Sequence, residues 1–568
     1  MHRFRIPVTL AIVMLVGTAL CSSAAMAQFN EPPPPAAYAL QGVTLVRPDG
    51  SRTENVTVVV RRGFIEAIGT DVEIPPDAEL LEGDSLLVYP GLVDAQGGAK
   101  VEFPDPEIDR QSLEPWNAPR EAQGFLPQRR AADHLAVTGA DLKSQRTNGV
   151  VAGAVHPDGP VMPGLGAFLI YRQDADRSSE LVVQPAIGPT FTFRGARGVY
   201  PGTLFGVVAF YRQSFEDARH DGLVREAHAQ DPRGVKLPGW DPAYEVLRSV
   251  MAQEQPVYFS ASTAEDIRLV LELADEYQFR PVIVGGEQAW RMAAQLRERR
   301  IPVLVSLDFP DPERWKPAAE TPESADTAEV AAPQVPEPLD AAAEREKRNL
   351  ENLYANAGRL AAAGVQFALT SGGGEADILE GTRKAIEYGL SEEQALTATT
   401  VTPAALFAAS YLMLVEAGVP ATFIVTDGPL FHEDTKIAYT FVEGALERGR
   451  VSSAPEGGPP SVDVTGTWEV EIEAEGQAMS GTMTLEQEGA EFSGSLSLEM
   501  GTLQIRDGAV GGDNLTFTLV IEMGGQSMSA EAKGKVEGDE ASGTGSGEMG
   551  SFTWKATKAV TPREGEVR

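Results

Sequence analysis

Five short apolar runs follow one another along this chain: GVVAGAVHP (149–157), PVYFS (256–260), PVIVGG (281–286), IPVLVSL (301–307) and GVQFALTS (364–371). Helical patterns such as 264–277 and 287–299 stand between several of them. Apolar runs this short and without alternation suit strands buried on both faces. Strand and helix alternating over roughly 300 residues predict a parallel α/β domain, and its size favours a (β/α)8 TIM-type barrel. Ser262 with Glu265, and Ser391 with Gln394, read as capping boxes opening two of the helices.

The flanks have a different texture. Residues 38–88 show period-two alternation broken at Pro48-Asp49-Gly50 and Arg62-Gly63, the pattern of a small antiparallel sheet. Residues 461–560 form short alternating stretches separated by Gly, Asp and Asn, with Glu-Met-Gly recurring at 499–501, 522–524 and 548–550. Recurrence at strand ends predicts a hairpin meander closed into an antiparallel β-barrel-like domain. The methionines gathered there read as adaptable core filling. Residues 316–347, rich in Ala, Pro and Glu, read as a low-complexity, structureless insertion, and 448–460 as a linker.

The first five residues are basic, Ile6 to Leu20 is almost wholly apolar, and Ala25-Met26-Ala27 has the small-x-small pattern of a cleavage site. A signal peptide over 1–27 and a Pro-rich tether over 28–37 are therefore expected, with a periplasmic or secreted destination. Acylation at Cys21 is the minor alternative. Cleavage after Ala27 removes the lone cysteine, so no disulfide framework is expected. No second apolar run is long enough to span a membrane. A formal net charge of −35 repels a phosphate backbone and excludes nucleic acid as a natural partner. Only six histidines are present, so a histidine-based metal centre has few residues to draw on.

The segment LVYPGLVDAQGG (87–98), preceded by VVVRRGFIEAIG, closely resembles the amidohydrolase superfamily. So do the later segments TVTPAALF (400–407), PATFIVTDGPLF (420–431) and KIAYTFVEGALER. The resemblance covers residues 38–448. It implies a composite β-domain built from 38–88 and 415–447 around a barrel at 89–414. It also implies hydrolysis of non-peptide C–N bonds, as in cyclic amides, by water activated on zinc or another divalent metal. In that family the entry strand ends Asp-x-His-x-His, and residues i and i+2 of a strand point the same way, so both imidazoles reach one ion. Asp94 is present here, but Gln96 and Gly98 stand at the histidine positions. Where the family keeps further ligands this chain offers Ser260, Gly285 and Gly372, with Asp377 as a stand-in if the register slips. The expectation is a degenerate metal site with no bound cofactor.

His156, at a predicted strand end two residues before Asp158, is a candidate for acid–base work as a His–Asp pair, and Asp94 is the second catalytic candidate. A histidine capping a strand end is the plainer reading. Glu287 and Asp308 lie near strand ends, and Ser371 before three glycines lacks both a nucleophile elbow and a partner base. The remaining histidines, His134, His220, His228 and His432, read as surface residues. Three readings of function stay open. One is a ligand-binding or accessory pseudo-hydrolase holding a small molecule or peptide at the barrel mouth. Another is an active hydrolase with an unorthodox site around Asp94, Gln96 and His156. The last is a structural component of an envelope complex, as a homo-oligomer or through its C-terminal domain.

Overall fold

The computed structural model describes residues 37–81, 86–104, 108, 113–310, 341–374, 376–449, 460–474, 477–498, 501–523, 526–547 and 550–559. The expected signal peptide, Cys21, the tether to residue 36, residues 316–340 of the insertion and 450–459 of the linker lie outside them. The chain divides into two compact units, 1–447 and 448–568. Among the described residues no helix is long and apolar enough to cross a membrane.

The first unit opens with β1 (Ala37–Val46), β2 (Arg52–Arg61), β3 (Phe64–Gly69), β4 (Ala78–Leu81) and β5 (Leu87–Pro90). Three late strands join the same sheet: β14 (Phe423–Thr426), β15 (Ile437–Val442) and β16 (Ala445–Arg448). The order is β16-β15-β14-β5-β1-β2-β3, with β4 paired to β1, so both flanks build one sheet. Arg62 and Gly63 both have positive φ, as do Glu443 and Gly444, which is what two-residue type I′ hairpins require. The two turns meet backbone to backbone: a Cβ on Gly444 would collide with Gly63, which explains the glycine at each. Phe423 stacks on Phe441 at 4.7 Å within the core of this sheet.

The barrel strands are β6 (Leu92–Asp94), β7 (Val150–Val155), β8 (Gly164–Ile170), β9 (Val182–Thr192), β10 (Val257–Ala261), β11 (Pro281–Gly285), β12 (Val303–Ser306) and β13 (Phe367–Thr370). They neighbour one another in chain order. A regular barrel of this kind has every pairing parallel; here five of the seven pairings are parallel, and β8 runs antiparallel to both β7 and β9.

 The reason is the connection: residues 156–163 between β7 and β8 are too few for a parallel crossover, which takes a dozen or more. The runs read as strands in the sequence became β7 and β10 to β13, and the reversed β8 departs from the regular parallel alternation.

Helices α1 (Lys143–Thr147), α2 (Leu204–Gln230), α3 (Pro242–Met251), α4 (Ala264–Tyr277), α5 (Ala293–Arg299), α6 (Ala341–Tyr354) and α7 (Asn356–Ala363) surround these strands. The cap of α4 falls one residue later than expected. Thr263 Oγ1 accepts from Asp266 N at 3.1 Å, so Thr263 and Asp266 form the box and Ser262 does not. The Ser391–Gln394 box stands as read. Residues 341–347, expected to be structureless, start α6, because their Ala, Glu, Arg and Lys are strong helix formers. A buried ion pair ties barrel to sheet: Arg146, beside β7, meets Glu447 of β16 at 2.8 Å, with side chains 2% and 8% exposed.

The second unit is a closed barrel of eight antiparallel strands in chain order. They are β17 (Gly466–Ala474), β18 (Gln477–Glu488), β19 (Glu491–Leu498), β20 (Gly501–Gly511), β21 (Asn514–Met523), β22 (Gln526–Glu537), β23 (Glu540–Gly547) and β24 (Gly550–Lys558). Pairing of β24 with β17 closes the ring. The Glu-Met-Gly repeats fall at alternate hairpin ends, where Leu498 pairs with Gly501, Met523 with Gln526 and Gly547 with Gly550; residues 499, 500, 524, 548 and 549 themselves lie outside the described set. Trp468, Phe517 and Trp554 dominate the interior, and Trp468 Nε1 donates to Val464 O at 2.9 Å.

Candidate functional site

The first and last barrel strands meet at Asp94. This residue ends β6 and is 2% exposed. Its Oδ1 accepts from Gln96 N at 3.0 Å and from Ser371 N at 3.2 Å, and its Oδ2 accepts from Ser371 Oγ at 2.5 Å. The Gln96 carbonyl in turn accepts from Gly373 N at 2.7 Å and Thr370 Oγ1 at 3.0 Å. Gly372 and Gly373 have φ of 79° and 78°, a left-handed pair that glycine adopts without strain. The three-glycine stretch thereby folds back over the entry strand, and a Cβ on Gly98 would lie 2.9 Å from Gly374 O. Burial raises the Asp94 carboxyl above its ordinary pKa, while the Ser371 and Thr370 hydroxyls and the Gln96 and Ser371 amides pull the other way.

His156 follows β7 directly and hydrogen-bonds Ala95 O through Nε2 at 3.0 Å. A carbonyl only accepts, so Nε2 carries the proton. Nδ1 is then a bare acceptor, buried and without a partner among the described residues. The ring packs on Tyr258 at 4.6 Å, Tyr258 on Phe407 at 6.1 Å, and Phe407 on Phe168 at 4.9 Å. Burial pushes the imidazole down to about 4, so it is neutral at physiological pH. Asp158 does not join it: that carboxylate is turned outward to Arg194 at 2.7 Å. The suggested His–Asp pair is therefore not formed.

The first unit shares its architecture with a solved amidohydrolase from Thermotoga maritima MSB8, at a TM-score of 0.56 and 21% identity, covering 72% of this chain and 100% of that one. The chain has the amidohydrolase fold. Weaker likenesses include a prolidase complexed with N-methylphosphonate-L-proline, at a TM-score of 0.40 and 15% identity over 73% of this chain and 100% of that one. Another is a zinc-bound adenosine deaminase from Xanthomonas campestris, at 0.38 and 14% over 74% and 94%. No family model matches the chain, and no curated protein matches it.

On this amidohydrolase fold the expected positions divide into two groups. Asp94, Gln96, Gly98, Ser371 and Gly372 are brought together in the seam, with His156 attached through the Ala95 carbonyl. Ser260 on β10 and Gly285 on β11 lie on adjoining strands, where Ser260 pairs with Val284 and Ala261 with Gly285. Ser260 is exposed and makes no hydrogen bond to the seam. Asp377 is the N-cap of the helix Ile378–Glu387, accepting from Leu379 N at 2.8 Å, and so is not a substitute ligand. A cavity of about 250 Å³ opens beside the rim, lined by Glu287, Ser306, Asp308 and Asn356 among others.

The residues present do not fit the metal of the resembled family. Among the described residues no three or more His, Cys, Asp and Glu side chains stand close enough to hold an ion. The Asp94 oxygens are already engaged, and the Gly374 carbonyl lies where a side chain at position 98 would begin. Sequence reasoning missed Tyr171 and Tyr258. Tyr171 is fully buried, and a Cβ on Gly97 would lie 2.6 Å from its hydroxyl. Burial and the Asp94 charge both hold that phenol protonated. Nothing in the sequence marks it, because it follows the reversed strand β8. Thr370 had a signal, its place next to Ser371 at the end of a barrel strand.

Proposed function

We propose that this protein is an exported, amidohydrolase-fold binding or accessory protein whose barrel mouth holds a small polar ligand without hydrolysing it on a metal. The closed seam carries this reading. The metal mouth of the resembled family needs imidazoles at positions 96 and 98 that reach one ion. Here Gln96 and Gly98 stand there, the Gly374 carbonyl abuts Gly98, and Asp94 is tied to Ser371. The rim cavity lined by Glu287, Asp308 and Asn356 suits an uncharged or cationic molecule, since two exposed carboxylates face it. Export rests on the N-terminal sequence pattern, and cell fractionation tests it. The test of the metal-free reading is the metal content of the purified chain after loading with zinc or manganese. Far less than one equivalent is expected, and one tightly held equivalent per chain would sink the proposal.

One observation favours a second reading. The unpartnered Nδ1 of His156 is a neutral, buried base of the kind that accepts a proton in hydrolysis. On that reading a panel of cyclic amides shows turnover that His156→Ala abolishes. Turnover unaffected by the substitution counts against it.

A further inference from the structure

At the opposite end of the barrel, where β10, β11 and β12 begin, lies a larger cavity of about 580 Å³. Three successive helices end at its edge, and each is followed by a residue in the left-handed region. These are Gln253 after α3 (φ 58°), Gln278 after α4 (φ 60°) and Arg300 after α5 (φ 54°). Glycine is the unstrained choice at such a position, and α7 uses it, ending at Gly364 with φ 73°. Three non-glycine residues with left-handed backbone at one cavity call for a use. Two of them knit the wall: Gln253 Nε2 donates to Gln278 O at 2.8 Å, and Gln278 Nε2 to Asp275 O at 2.6 Å. Arg299 is held by Asp275 at 2.6 Å. Arg300 has no such role. Neither it nor the neighbouring Arg280 has a side-chain hydrogen bond or ion-pair partner among the described residues.

Two unpaired guanidinium groups on a chain of net charge −35 form a local anion-attracting spot. The lining is mixed: Phe279, Val282, Ile301 and the ring of Tyr258 give it an apolar part, while Gln253, Gln278 and Asp275, the last paired with Arg299, give it a polar one. Pro256, Pro281 and Pro302 stand at the strand entrances on the same cavity. Proline has no N–H to donate, so the backbone cradle on which a bare phosphate depends is missing there. Guanidinium groups pair well with carboxylates. We propose that this cleft binds a small carboxylate with an apolar body, the carboxylate on Arg280 and Arg300 and the body on the apolar part of the lining. This goes beyond the reading of the barrel mouth and does not depend on it.

Calorimetric titration of the full chain with octanoate, octanol and inorganic phosphate tests the assignment. Octanoate is expected to bind saturably, octanol at least about tenfold more weakly and phosphate without saturation. Arg280→Gln with Arg300→Gln should weaken octanoate by about tenfold or more. Arg300→Gly removes the charge while relieving the backbone, so it should lose affinity without a lower melting temperature. That combination is one a purely structural arginine does not produce. Absence of saturable octanoate binding, equal binding of octanol, tighter binding of phosphate, or unchanged affinity in either variant would overturn the proposal.

Discussion

Asp94→Asn tests whether the seam is a structural closure. In the native arrangement Oδ1 takes two backbone amides and Oδ2 takes the Ser371 hydroxyl. Asparagine keeps an oxygen for the amides and turns its nitrogen toward Ser371 Oγ. That hydroxyl can then donate to Gln96 O, already 3.1 Å away. The oxygen, the Ser371 hydroxyl and one of the two new N–H groups keep a partner. Hydrogen bonds to an ionised acceptor contribute about 1.5–3 kcal/mol and neutral ones about 0.5–1.5 kcal/mol, so the exchange weakens the seam. Against this, the variant removes the cost of burying a charge, which raises the Asp94 carboxyl pKa. The opposing terms leave a net change within about 1–2 kcal/mol at neutral pH.

The sign with pH follows from the direction of the shift. A carboxyl whose pKa is raised by folding contributes most below its ordinary value of 3.8, and that contribution is lost as pH rises through the folded pKa. Wild-type stability relative to Asp94→Asn should therefore fall with rising pH over that window and level off above it. Calorimetry of the full chain measures this, with the transition of the C-terminal unit as internal reference. Ser371→Ala has no compensating rearrangement and should cost about 1.5–3 kcal/mol. A loss beyond about 3 kcal/mol for Asp94→Asn, or a difference from wild type that does not vary with pH, would refute the reasoning.

Other expectations concern single contacts. Gly98→Ala should destabilise the first unit by about 1–3 kcal/mol, seen by denaturant melts, because its Cβ meets a backbone carbonyl that cannot swing aside. Glu447→Gln leaves Arg146 buried without its counter-charge and should cost about 3–5 kcal/mol in the same melts. The imidazole of His156 should titrate near pH 4 by NMR. Its lowered pKa gives stability that is complete above the ordinary 6.5 and lost as pH falls toward about 4.

The strands of the parallel half were legible because burial on both faces leaves no polar positions to interrupt them, as in Val303–Ser306 and Phe367–Thr370. Strand β8 was missed for a different reason. GLGAFLI is equally apolar, but its direction is set by a short connection and not by its own pattern. In the second unit β20, β22 and β23 escaped notice, since QSMSAEAKGKVE and EASGTGSG carry few large apolar residues and are held by their neighbours around the ring. The seam shows the same limit. Asp94 and Ser371 each drew attention alone, but they lie 277 residues apart and only barrel closure joins them. His156 and Asp158 looked paired by proximity in sequence, and the loop turns one inward and the other out.

Closure of β24 onto β17 has a consequence for how the second unit can meet other molecules. A ring has no free row of amides and carbonyls, so neither another copy nor an extended peptide can extend it by adding a strand. Recognition there must pass through the outward side chains, and on β17 these are the exposed Glu469, Glu471 and Glu473. Any surface that docks against this face must answer three carboxylates in a row, which selects for basic partners and for low salt.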